Sequence, residues 1–131
     1  MKPGLEALGY AVEDPATKQK LRRPVLFGEN GNAEVRYDVD AVHDALGIVV
    51  GIEAGRGARG NALYRDLIRA SLIVNTRFLV IGMMQTYRHQ NVKKERTVLV
   101  EGYTEAKRAV DAVYASGRLT LPVEGLLLFG Y

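Results

Sequence analysis

The sequence contains no cysteine, which excludes a disulfide framework and a thiolate metal site. Its only histidines are His43 and His89, too few for a histidine-rich zinc centre. No apolar run approaches the ~20 residues of a membrane-spanning helix. Residues 1–20 lack the apolar core of a signal peptide. These absences leave a soluble cytoplasmic protein with no membrane partner as the expectation. A chain of 131 residues is long enough for a single domain, 1–131, built on one hydrophobic core. A net charge of +3 and a pI near 9.3 fit a polyanionic partner only weakly, so the distribution of charge has to carry that argument.

The most informative stretch runs from Ala33 to Gly57, AEVRYDVDAVHDALGIVVGIEAGRG. Val35, Tyr37, Val39 and Ala41 alternate with Glu34, Arg36, Asp38 and Asp40. Ile48, Val50, Ile52 and Ala54 then alternate with Val49, Gly51, Glu53 and Gly55. Strand side chains have a period of two, so each segment has one apolar face and one mixed or polar face. Asp44-Ala45-Leu46-Gly47 is the natural turn. The pattern predicts a β-hairpin that sets Asp38 opposite Glu53. Directly opposed Cβ atoms lie about 5 Å apart. Carboxylates held that close repel unless a cation or a proton lies between them, so the pair predicts a divalent-metal site. The plainer alternative is a row of acids on the wet face of an antiparallel sheet. The metal is favoured because Glu53 sits in IVVGIEAG, a segment apolar enough to be buried, where a lone carboxylate is costly.

Around this hairpin the chain shows no repeat and no low-complexity tract. A short helix is expected over 4–8, and Asp14-Pro15 marks a turn. RRPVLF (22–27) reads as a strand, with Pro24 placing it at an edge or a strand start. Glu29-Asn30-Gly31-Asn32 is a turn. A helix follows from about Asn61, its N-cap, to Val74. Its inward stripe is expected to be Tyr64, Leu67, Ile68, Ser71 and Leu72. Residues 77–84 suit a buried central strand. RHQNVKKER (88–96) is a basic segment, and 97–100 a short strand. A second helix is expected over 104–116, capped by Thr104, facing inward through Ala106, Ala109, Val110 and Val113, and ended by Gly117. Residues 119–121, then 126–131, give one or two closing strands. The fold class is therefore α/β, a central mixed β-sheet flanked by helices.

The acidic hairpin, with the helix and strand after it, resembles the metal-binding core of the PD-(D/E)XK nuclease superfamily over roughly Ala33 to Tyr87. Asp38 or Asp40 matches the family's first acid, and Glu53 the acid of its acid-X-lysine motif. The resemblance implies a restriction-endonuclease-like fold, magnesium or manganese as cofactor, DNA as partner, and hydrolysis of a phosphodiester bond. Asp38, Asp40 and Glu53 would hold the metal. One departure stands out: the family's lysine falls at Gly55, which has no side chain. Arg56 is the nearest cation, and with Arg59 it is expected to take the lysine's part. If no cation replaces it, the alternative is an inactive nuclease-like domain that binds nucleic acid or a partner protein. A homodimer is also expected, since duplex cleavage needs two sites. A subunit with no nucleic-acid role is a third reading, because fold does not fix function.

Basic residues supply the remaining candidates. The loop from Gly55 to Gly60 permits close approach of the backbone to an anion, although it lacks the GxxxxGK[ST] pattern of a P-loop. Arg59, Arg65, Arg88, Lys93 and Lys94 are the expected nucleic-acid contacts. For Arg65 an ion pair with Asp66 is the simpler role. Four cations against the single acid Glu95 in 88–96 favour a polyanion contact. His43, Glu34 and Tyr87 are expected to be surface residues.

Overall fold

The alternating and helical periodicities fold into nine strands and three α-helices among the described residues of this computed structural model, which are 2–17, 20–54, 62–91 and 96–131. In chain order these are α1 (Lys2–Ala7), β1 (Ala11–Val12), β2 (Arg22–Phe27), β3 (Ala33–Asp38), β4 (Ala41–His43), β5 (Ile48–Glu53), α2 (Ala62–Leu72), β6 (Phe78–Met83), β7 (Tyr87–Asn91), β8 (Arg96–Val100), α3 (Gly102–Ser116) and β9 (Gly125–Gly130). Five strands form a mixed sheet in the order β1-β4-β5-β6-β9. The pairs β1–β4 and β4–β5 are antiparallel, whereas β5–β6 and β6–β9 are parallel. The pairs β2–β3 and β7–β8 form separate two-stranded ribbons. The α/β class with a mixed central sheet is therefore present. Among the described residues no helix is long and apolar enough to cross a membrane.

Parallel neighbours require a crossover, and α2 provides it between β5 and β6. Leu79, Ile81 and Met83 project from one face of β6. They share a buried cluster with Leu63 and Leu67 of α2 and with Ala106 and Val113 of α3. Burying side chains of that size contributes about 1.5–3 kcal/mol each. On the opposite face, Leu5 of α1 lies beside Val12, Ala41 and Val50.

The structure corrects three expectations. The long acidic hairpin is divided between two sheets. Residues 33–38 pair with β2, where Asp38 faces Arg22, and only 41–43 pair with β5. The switch occurs at two consecutive amides. Val39 N–H donates to the Leu21 carbonyl at 2.9 Å, and Asp40 N–H donates to the Val50 carbonyl at 3.2 Å. The β4–β5 register, Ala41 with Val50, is the one the Asp44–Gly47 turn predicts. Its ladder, however, stops before Asp38 can face Glu53.

Secondly, α2 is rotated from its expected stripe. Leu67 is buried as expected, at 2% exposure, but it shares the core with Leu63, also 2% exposed, whereas Tyr64, Ile68 and Leu72 are 40%, 42% and 48% exposed. Leu63 and Leu67, with the half-buried Ala70, form the inward stripe, and this rotation carries Asp66 toward the sheet. Thirdly, α3 starts at Gly102 rather than at Thr104, and its N-cap position, Glu101, makes no side-chain capping bond. The expected basic segment also contributes a strand, β7. Gly117 ends α3 in the left-handed region as expected.

Gly47 links the turn to β6. Its φ is +66°, and an added Cβ would lie 2.5 Å from the Asn75 carbonyl oxygen. Its own carbonyl accepts the amides of Arg77 at 2.7 Å and Phe78 at 2.9 Å. Gly47→Ala should therefore destabilise the fold by about 1–3 kcal/mol, read as a lower urea midpoint with an unchanged slope. An unaltered midpoint would show that the turn relaxes freely.

Candidate acidic cleft

The end of β5 and the inner face of α2 enclose a cleft of about 230 Å³. Its walls carry five acids, Glu13, Asp38, Asp40, Glu53 and Asp66, together with Lys20 and Arg69. Gly51 lies between the β5 residues Val49 and Glu53 on the helix-facing side, and an added Cβ there would meet nothing within 4 Å. The gap opposite α2 thus follows from a missing side chain in an otherwise apolar strand.

Three of the acids have a cation. Asp38 pairs with Arg22 at 3.1 Å, with both side chains more than half exposed. Glu13 pairs with Lys20 at 2.7 Å. Asp66 is held by both arms of the Arg65 guanidinium, at 2.9 and 3.1 Å. Asp40 and Glu53 have no cation at ion-pair distance among the described residues. Asp40 instead accepts the Ile52 amide at 2.6 Å. Burial still raises its pKa above the ordinary aspartate value; the Ile52 amide opposes that rise, while the Glu13 charge adds to it.

Glu53 is more perturbed. Its carboxyl is pushed up to about 7, first by burial and then by a hydrogen bond and like charge from Asp66. Arg65 works in the other direction. A hydrogen bond between two carboxyl groups requires a proton on one of them. The Glu53 backbone is fixed separately, because the Tyr131 hydroxyl donates to its carbonyl at 3.2 Å.

The structure brings Asp38, Asp40 and Glu53 to one cleft, with Asp38 at an exposed ion pair on its wall. Arg65 serves Asp66, and Arg88 lies exposed on β7. Arg56, Arg59, Lys93, Lys94 and Gly55 lie outside the described residues. His43 stands edge-on to the Tyr10 ring, with centroids 5.1 Å apart, and its Nδ1 accepts the Leu46 amide at 3.3 Å.

The sequence pattern missed Glu13, Lys20 and the inward position of Asp66. Asp66 carried a usable signal, since it lies three residues after Leu63 and four before Ala70, on their stripe. Glu13 follows a strand of two residues, too short to register as a period.

Among the described residues no group of three or more His, Asp or Glu side chains is placed to hold a metal ion. Two carboxylates remain a sufficient protein contribution for magnesium, which keeps several of its waters. No family model, curated protein or solved structure matches this chain.

Glu53 gives the cleft a pH signature. Its folded pKa lies above the unfolded value, so the folded state holds a proton that the unfolded state releases. In chelator-treated buffer, stability should be greatest below about pH 4.5 as far as this group is concerned, and should decline as pH rises toward about 7. The change in Tm should be modest, because Glu53 is only half-buried and water screens it. Glu53→Gln should flatten that part of the profile, and identical slopes in parent and variant would remove the shared proton from the account.

Proposed function

We propose that this protein is a metal-dependent nuclease of PD-(D/E)XK type, with a restriction-endonuclease-like core, that hydrolyses phosphodiester bonds in DNA. The observation that carries the proposal is that Asp40 and Glu53 line the same cleft, beside the gap at Gly51. They are half-buried carboxylates with no cation at ion-pair distance among the described residues. The element order supports it too: Asp40 immediately precedes the first strand of an antiparallel pair and Glu53 ends the second, and a helix then leads to a strand parallel to that second strand.

The donor set fits a hard cation. Carboxylate oxygens suit magnesium or manganese, and the chain offers no thiolate and only two imidazoles to attract a softer metal. Asp40 and Glu53 would hold the ion, with Asp40 rather than Asp38 as the first acid, since Asp38 already faces Arg22. Bound there, magnesium supplies a Lewis acid that lowers the pKa of a water and offsets charge at the phosphate. The chain's own residues perform the remaining tasks. The Ile52 amide orients Asp40, the Tyr131 hydroxyl fixes the backbone at Glu53, and Arg65 holds the Asp66 carboxylate in place beside it. Gly51 leaves space for the reacting group.

A second reading rests on Gly55, where the motif lysine is missing: a nuclease-like domain that binds nucleic acid or a partner without cutting. Manganese titration and plasmid nicking separate the two. Asp40→Asn and Glu53→Gln should each weaken manganese binding on the order of 10- to 100-fold and abolish nicking, whereas Asp38→Asn should retain both. Metal binding without nicking of any DNA favours the second reading. Undiminished binding in both variants removes the site.

A further inference from the structure

We propose that the outer edge of β9 is a docking strand for a second copy of this chain, the two copies joining their sheets by pairing β9 with β9 antiparallel about a two-fold axis. The inference stands apart from the chemistry of the cleft.

The hydrogen-bond pattern of β9 carries it. Tyr131 donates its amide to the Met83 carbonyl at 3.0 Å and accepts the Gln85 amide at 2.9 Å. In a parallel ladder one residue turns both backbone groups toward its neighbour and the next turns both away. Gly125, Leu127 and Phe129 therefore face β6, as Tyr131 does. Leu126, Leu128 and Gly130 point their amides and carbonyls outward. Among the described residues no strand pairs with that outer side, and no backbone bond outside the sheets reaches those three residues.

Such an edge is a template for another strand, and folded proteins commonly blunt it with charge, proline, a bulge or shortness. The two ends of this sheet differ in that respect. β1, at one end, has two residues. β9, at the other, is GLLLFG, six residues with no charge and no proline, and its pairing with β6 runs without a bulge. Leu127, in its middle, is 58% exposed.

A second copy fits this edge. Two uncharged β9 strands bring no like charges face to face. Self-pairing also closes, because each copy uses its one long edge and the two-residue β1 edges left at the ends are too short to extend the sheet. The outward residues set the register. With the axis at Leu128, that residue faces its own copy, and Leu126 of one chain faces Gly130 of the other. All three outward residues then exchange amide and carbonyl bonds. An axis at Leu127 would instead set Gly130 against Glu124, which lies outside the strand. The Leu128 axis puts Leu127 opposite Phe129 as a non-hydrogen-bonded pair, with Cα atoms about 4.5 Å apart. Both side chains lie on the sheet face away from α2 and α3, since Leu126 and Leu128 share the other face with Leu79 and Ile81. An edge about 20 Å long makes a small interface, so association is expected in the micromolar range.

Sedimentation velocity on the parent, Leu127→Lys and Ile68→Lys between about 1 and 500 µM tests this, with melting as the check on folding. The parent should pass from monomer to dimer and stop there. Leu127→Lys should melt like the parent and associate at least about 10-fold more weakly, because an edge lysine opposes pairing. Ile68→Lys changes the exposed apolar stripe of α2 and should dimerise like the parent. The chain has no cysteine, so introduced thiols report the register. Leu127→Cys mixed with Phe129→Cys should give a disulfide-linked dimer on mild oxidation. Leu127→Cys alone should give little, because its diagonal separation of about 7–8 Å exceeds disulfide reach. The Phe129 ring packs where a Gly82 side chain would stand, so if Phe129→Cys melts early the lysine variants decide alone. A parent that stays monomeric throughout, or that grows into open-ended aggregates, overturns the proposal. So does a folded Leu127→Lys that dimerises as the parent does, or a loss confined to Ile68→Lys, which would put the interface on α2. Equal cross-linking in Leu127→Cys alone overturns the Leu128 axis.

Discussion

Strand β5 has unlike neighbours, antiparallel β4 on one side and parallel β6 on the other, and most of the architecture follows from that. An antiparallel partner can be reached by a tight turn, which Gly47 closes with a left-handed φ that other residues resist. A parallel partner cannot, so the chain must leave the sheet, cross one face as α2 and return. The crossover stands α2 over the same face of β5 that carries Val49, Gly51 and Glu53. An acid on that helix face must then meet an acid at the strand end. The Glu53–Asp66 contact is a consequence of connectivity before it is a matter of chemistry.

Isolated buried acids are unfavourable, and the cleft answers each differently. Asp38 stays near water beside an arginine. Asp66 takes a two-armed guanidinium. Asp40 draws on a backbone amide, and Glu53 on a carboxyl hydrogen bond with Asp66. The last two solutions leave oxygen lone pairs available, whereas a guanidinium covers both carboxylate oxygens at once. Chemical availability thus depends on what kind of donor satisfies each acid, and not only on how many acids gather.

The local periods were the legible part of the sequence. Segment 22–27 reads directly as a strand, the core positions of α3 fall where 3.6-residue spacing puts them, and Asp44–Gly47 fixes the β4–β5 register. Alternation cannot tell which sheet a strand joins. The break at Val39–Asp40 leaves the pattern of polar and apolar residues intact and changes only the hydrogen-bonding partner, so Asp38 and Asp40 look equivalent in sequence and are not so in space. The phase of α2 failed for a related reason. Tyr64, Ile68 and Leu72 form as regular a stripe as Leu63, Leu67 and Ala70, and only the packing against β6 chooses between them. Glu13 and Lys20 belong to connecting segments, where one-dimensional spacing says nothing about which strand lies alongside.

The last described residue reaches back to the cleft. Tyr131 exchanges backbone hydrogen bonds with Met83 and Gln85, and its hydroxyl meets the Glu53 carbonyl. The final strand therefore acts as a clasp over the end of β5. A fluorophore, an affinity handle or an antibody that displaces Tyr131 would disturb an acid 78 positions earlier in the chain. For labelling work the tip of the β2–β3 ribbon is the safer attachment point, since Asn30 and Gly31 are exposed and border none of the five acids.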